Sequence, residues 1–153
     1  GIQGRTGDAE CTMDALLVDG VRCGPIDPTA RQGPARAYGS AFSRAMQISH
    51  EGGVTVHVSG TASIDAAGRS LHPDDPAAQF AETLLDIGAV LAETGMSLTD
   101  IHQATLFCKD ERTHAACQQA RRLLGLPAFP TGAVRADVCR PELLVEMEAV
   151  ACR

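Results

Sequence analysis

The sequence predicts an α+β domain in which a mixed sheet of about six strands carries two helices packed on one face. Three observations carry that expectation. Two segments place apolar residues at helical spacing between a start and a stop, from Asp75-Pro76 to Gly95 and from about Arg112 to Gly125. Shorter runs alternate in period two, with Val54, Val56 and Val58 on one face and Thr55, His57 and Ser59 on the other. The last run, Leu143 to Cys152, is apolar on both faces, which suits a buried strand rather than a solvated edge.

From the N-terminus, ALLVDGVRCG contains Asp19-Gly20, a positive-φ turn that joins two short strands into a hairpin. Gly24 to Gly39 is rich in Pro and Gly and reads as an irregular crossing segment. The chain therefore divides into an irregular N-terminal segment with a hairpin, 1–36, and a domain, 37–153. Ala41 to Ile48 and Val54 to Ser59 flank the turn His50-Glu51-Gly52-Gly53 as a second hairpin, which runs on into the small, polar SGTASID loop. Asp74-Asp75-Pro76 starts the first helix, because an acidic cap accepts backbone N–H groups and proline fits the first turn. Its inward positions are Phe80, Leu84, Ile87 and Leu91. Ile101 to Cys108 is a strand, and the second helix follows with Ala116, Ala120, Leu123 and Leu124 inward. Ala133 to Val138 and Leu143 to Cys152 close the order ββαβαββ. Two helices cover one face only, so the other calls for a partner, most simply further copies of the chain.

Composition narrows the function classes. A chain of 153 residues fits one domain with a real core. The net charge of -6 comes without any run of Lys or Arg able to follow a phosphate backbone, and four Phe, one Tyr and no Trp make no stacking platform, so nucleic acid is not the expected partner. No apolar stretch reaches membrane-span length and GIQGRTGDAEC lacks the layout of a secretory signal, so the expectation is a soluble, cytoplasmic protein. The six cysteines show no two-residue spacing and the five histidines no i, i+4 pair; we expect reduced thiols, no metal and no cofactor.

The candidate chemistry begins at Glu146, a carboxylate set in an otherwise apolar strand. Burial disfavours its charge and keeps it able to donate a proton near neutral pH. Its rival role is a buried acid tied to an amide or an arginine. Glu148 points to the same side, either as a neighbour that raises the pKa or as an interface ion-pair partner. Cys139, before Arg140-Pro141 at a strand end, either faces a cleft or packs. Arg135 and Arg140 are the nearest cations for an anionic substrate, or else surface charges. Thr61 and Ser63 offer hydroxyl and N–H groups, with turn stabilisation as the alternative. The Tyr38 phenol reaches a ligand or anchors the irregular segment. His72 is a proton shuttle or part of the helix start.

Laid out in this way, the chain resembles the RidA (YjgF, UK114) family. The likeness runs from about Ala37 to Cys152 and is carried by Val58-Ser59-Gly60-Thr61, by Gln79 with Leu84 and Ile87, and by Val145-Glu146-Met147-Glu148-Ala149-Val150-Ala151. It implies a chorismate mutase-like α+β fold and a homotrimer with small-molecule clefts between subunits. Imine and enamine deaminases of that family bind the substrate carboxylate through an arginine. An ungapped count from Glu146 puts Thr131 at that position, without a guanidinium.

A closer likeness is to the C-terminal half of the chorismatases, the chorismate hydrolases and 3-hydroxybenzoate synthases. It rests on Ala37-Tyr38-Gly39, Phe42-Ser43-Arg44-Ala45, Val58 to Ile64, His72, Ala78-Gln79, Glu82-Thr83-Leu84, Ala136 to Pro141 and Leu143 to Glu146. That resemblance implies a hydrolase or lyase in specialised metabolite biosynthesis, acting on a small carboxylated enol ether. Glu146 would be the proton donor, Cys139 and Thr61 would shape the pocket, and Arg135 or Arg140 would hold the carboxylate. RidA-type imine deamination and a non-catalytic ligand-binding trimer are the alternatives.

Overall fold

The computed structural model describes residues 16–27 and 29–153. Its strands are β1 (Arg22–Ile26), β2 (Ala45–His50), β3 (Gly53–Ala62), β4 (Ile101–Cys108), β5 (Thr131–Arg135) and β6 (Val145–Cys152). Helices α1 (Pro76–Ala92) and α2 (Glu111–Leu123) join them, with short 3-10 turns at Ala35–Tyr38 and Leu98–Asp100. The six strands form one mixed sheet in the order β1-β2-β3-β6-β4-β5. Only β4 and β5 run parallel, and α2 supplies the long crossover that a parallel pair requires.

Several boundaries differ from expectation. Gly20 adopts the positive φ of 70°, but residues 16–19 are not a strand, so no hairpin forms there; Ala15 lies outside the described residues. β1 pairs with β2 instead, with Ile26 opposite Ala45, and this draws Gly24 to Ile26 out of the segment expected to be irregular. Its edge position tolerates Pro25, whose missing N–H would break a central ladder. β2 starts at Ala45 rather than Ala41, because Arg44 ties this stretch to the crossing segment through two bonds to the Gly33 carbonyl, at 3.1 and 2.9 Å. β5 spans Thr131–Arg135 rather than Ala133 to Val138.

α1 follows its sequence signals. The Asp75 side chain accepts the Ala78 N–H at 3.0 Å, Pro76 occupies the first turn, and Gly95 ends the run at φ 72°. Phe80, Leu84, Ile87 and Leu91 are buried against the sheet, each contributing on the order of 2 kcal/mol. α2 is turned differently from expectation. Asp110 caps it by accepting the Thr113 N–H at 2.7 Å, and Thr113, Cys117 and Ala120 face inward. Leu123 and Leu124 are left exposed. The five cysteines among the described residues are free thiols, Cys108 and Cys117 being buried in the core.

β6 alternates rather than being apolar on both faces. Val145, Met147, Ala149 and Ala151 are buried in the core under the helices, while Glu146, Glu148 and Val150 point to the opposite face. The other apolar residues that made the run look uniform, Leu143 and Leu144, precede the strand. On the helix-free face, Glu146 stands beside Phe107 of β4 and Ala62 of β3, and Glu148 beside Thr105.

The crossing segment is fastened to α1 by a buried clasp. Arg31 gives Nε to Asp86 at 2.9 Å and Nη2 to Glu82, and Gln32 gives Nε2 to Asp86 at 2.9 Å and to the Ala62 carbonyl at 3.3 Å. Asp86 is 1% exposed. Burial raises its pKa to about 6, outweighing Arg31, and Glu82 pushes the same way. The folded chain therefore holds this proton more tightly than the unfolded chain. The stability Asp86 contributes is fully present below the ordinary value of 3.8 and is lost as pH rises through about 6. We expect the wild type to gain on the order of 2 kcal/mol over Asp86→Asn between pH 7 and pH 4. Denaturant unfolding of both proteins across that range measures the difference; parallel curves would refute the assignment.

Candidate functional site

The site begins with an irregularity in β3. Val58 opposes Ala149 and Thr61 opposes Met147, so three steps on β3 match two on β6 and one extra residue bulges out. The bulge turns Val58 and Thr61 to the same, helix-covered side and sets Gly60 beside the Glu146 side chain. Ser59 pins it by donating its hydroxyl to the Ser43 carbonyl at 2.8 Å and its N–H to the Arg44 carbonyl at 3.0 Å.

Around this bulge lies a cleft of about 840 Å³. Ser40, Ala41 and Phe42 of the crossing segment form one wall, Asp137, Val138 and Cys139 after β5 form another, and Ser59, Gly60, Glu146 and Glu148 make the floor. Glu146 is 8% exposed. Among the described residues no side chain donates a hydrogen bond to its carboxyl. Burial raises its pKa above the usual carboxylate range, and the charge of Glu148 adds to the effect. The Cys139 thiol is also pushed up, first by burial and then by Glu146. It stays protonated at neutral pH, which suits a lining group rather than a thiolate nucleophile.

Two of the sequence candidates, Glu146 and Cys139, thus meet in the cleft; the other six do not. Thr61 is buried toward the helices and donates its hydroxyl to the Ser59 carbonyl at 2.8 Å. Ser63 is buried and donates to the Leu71 carbonyl at 3.3 Å. Arg140 gives Nη1 to the Gly68 carbonyl at 2.6 Å and to Ser70 at 3.2 Å. Tyr38 lies between the guanidinium groups of Arg44 and Arg140, at 5.4 and 5.8 Å, and so anchors the crossing segment. His72 is exposed at φ 53°, 3.8 Å from Glu82. Arg135 is exposed at the end of β5, outside the cleft lining. In each buried case a nearby backbone carbonyl satisfies the polar group, a local arrangement that composition does not disclose.

Sequence reasoning missed Ser40 to Phe42, Ser59, Gly60, Asp137 and Val138 as cleft residues. Glu148, read from its place two residues from Glu146 as a neighbour that raises the pKa or as an interface ion-pair partner, lines the cleft and acts in the first way. Thr131 also needs correction as the stand-in for a carboxylate-binding arginine. It pairs with core-facing Ala104, turns toward α2 and meets Arg121 at 3.4 Å, so period two directs it away from the open face. Gly132 and Val134 occupy the open-face positions of β5, and neither offers a cation. Among the described residues the cleft lining carries three carboxylates, from Asp137, Glu146 and Glu148, and no basic side chain.

A six-stranded mixed sheet with two helices on one face and an acid-bearing cleft on the other defines the class as a one-sheet α+β domain. The family profile described as Endoribonuclease L-PSP matches residues 35–153, and the chain belongs to this family, also called RidA or YjgF. Solved structures agree. A Mycobacterium tuberculosis member of the YjgF/YER057c/UK114 family is similar at 25% identity and TM-score 0.67, covering 86% of this chain and 100% of its own. E. coli TdcF with bound serine is similar at 19% identity and TM-score 0.68, covering 85% and 98%. Yeast Mmf1 is similar at 18% identity and TM-score 0.70, covering 86% and 99%.

Proposed function

We propose that the protein is an acid catalyst that protonates an electron-rich carbon of a small metabolite in this cleft. The preferred substrate class is a carboxylated enol ether of chorismate type, and the reaction is hydrolysis or elimination in specialised biosynthesis. Glu146 carries the reading: its carboxyl is buried at the cleft floor, tied to no donor among the described residues, with a raised pKa. It gives its proton to the enol ether carbon, and water adds to the resulting oxocarbenium ion. The hemiketal collapses to a keto acid and an alcohol, while the proton lost by the water restores the carboxyl. No cofactor enters this sequence. Cys139, seven residues before Glu146 as in the chorismatase likeness, supports the enol ether class. The family description mentions a ribonuclease, but three carboxylates in the cleft disfavour a phosphate chain. The serine bound to TdcF fits a small, polar metabolite better.

A substrate carboxylate needs a cation, which the described residues of this lining do not supply, and we assign it to a neighbouring copy. The assembly is a homotrimer with three interface clefts, in which Arg135, on the same face of edge strand β5 as Thr131 but at its exposed end, reaches past the strand end to the cleft of the next subunit. Sedimentation should give about three times 16.0 kDa. Glu146→Gln and Arg135→Ala, each impaired alone, should recover a measurable part of the activity when unfolded together and refolded as mixed trimers. No recovery would place the two residues in one chain's site. Deamination of an imine or enamine is the second reading, favoured by family membership and served by the same acid. Chorismate and freshly generated imines assayed side by side separate the two; rapid imine turnover with inert chorismate would reverse the preference.

A further inference from the structure

We infer that Gly60 is a positioning residue whose missing side chain is the seat of the Glu146 carboxyl. A Cβ placed on Gly60 would overlap Glu146 Oε1 and stand 3.0 Å from its Cδ and 3.6 Å from its Cγ. The backbone does not ask for glycine here, since Gly60 is not among the residues with positive φ. The position needs glycine because another side chain already occupies that volume.

The seat is rigid on both sides. Ser59 is fixed to residues 43 and 44 by its hydroxyl and its N–H, at 2.8 and 3.0 Å. Thr61, on the other flank, is buried and donates its hydroxyl back to the Ser59 carbonyl at 2.8 Å. A methyl group at position 60 therefore displaces the carboxyl rather than the bulge. The open direction is the cleft, where Glu148 stands and water enters. A displaced carboxyl regains hydration, and its pKa returns toward the ordinary range. Gly60 thus holds the acid in the site that raises its pKa. The catalytic consequence rests on the proton-donor reading above; the steric dependence does not.

Two measurements on Gly60→Ala test the seat. The first follows the Glu146 carboxyl carbon by NMR in protein labelled with 13C-glutamate, the signal being assigned by its loss in Glu146→Gln. Its titration midpoint should shift downward in Gly60→Ala; an unmoved midpoint overturns the inference. The second is a double-mutant cycle. Gly60→Ala should raise the unfolding equilibrium constant about tenfold in the wild-type background and leave it unchanged or lower in Glu146→Ala. An equal cost in both backgrounds means that the glycine serves something other than the carboxyl, and overturns the inference. Should Gly60→Ala alone fail to fold, the double variant is expected to fold, and its failure also overturns the seat. Full turnover by Glu146→Gln would remove the donor reading and leave the seat standing, so the two ideas fail separately.

Discussion

Glu146→Gln should lower turnover by two to four orders of magnitude while ligand binding and subunit assembly stay intact. An amide keeps the shape of the neutral carboxyl but delivers no proton, and loss of a positioned general acid costs about 10²–10⁴ in rate. The site around Glu146 sharpens the expectation. With no hydrogen-bond donor fixed on it among the described residues, the carboxyl spends no part of its chemistry on holding the fold. Its raised pKa sets the sign of the pH dependence: the wild-type rate should fall as pH rises through the Glu146 pKa, because the ionised form has nothing to donate. Steady-state kinetics on the substrate identified by the side-by-side assay, run across pH for both proteins, checks rate and profile together. A Glu146→Gln enzyme with unchanged kcat would end the acid role and favour a binding protein.

Gln79→Leu should destabilise the fold by on the order of 3 kcal/mol, although it replaces a buried polar residue with an apolar one of similar size. Gln79 is 0% exposed and acts as a four-way junction. Its amide nitrogen donates to the carbonyls of Leu71, His72 and Glu142 at 3.4, 3.1 and 2.9 Å, and its oxygen accepts the Leu144 N–H at 2.7 Å. Leucine would leave the Leu144 N–H and the Glu142 carbonyl without their partner inside the protein, which is the expensive half of losing a hydrogen bond, while Ser63 and Asp75 still donate to the Leu71 and His72 carbonyls. The damage should not remain local, since Leu144 directly precedes β6 and Glu146 is the second residue of that strand. Chemical denaturation measures the loss in stability. Hydrogen exchange at the Leu144 amide reads whether the entry to β6 has loosened. A stability within about 0.5 kcal/mol of wild type would show that the junction is dispensable.

Much of the scaffold could be read from residue order. The α+β class, the two helices and the Asp75-Pro76 start followed from signals that act over one or two turns of chain: caps, proline, glycine and the spacing of apolar residues. The acid could be read too, because a glutamate among Val145, Met147, Ala149 and Ala151 stands out against any strand pattern. Gln79 was visible only as a likeness, since the carbonyls it joins are brought together by folding.

Local patterning by itself determined that this chain forms helices over a sheet and sets one acid into a strand between apolar neighbours, because propensity, capping and periodicity depend on residues close in sequence. Tertiary structure alone decided that β1 joins the sheet, that Thr131 and Thr61 turn toward the helices, and that Gly60 lies against Glu146. These outcomes depend on strand register and on one extra residue in β3, and register is chosen by contacts between separate segments, from Ile26 with Ala45 and Ala104 with Thr131 to Thr55 with Cys152. A single-residue shift there exchanges the two faces of a strand, so which polar groups meet in the cleft is settled by pairing and not by composition.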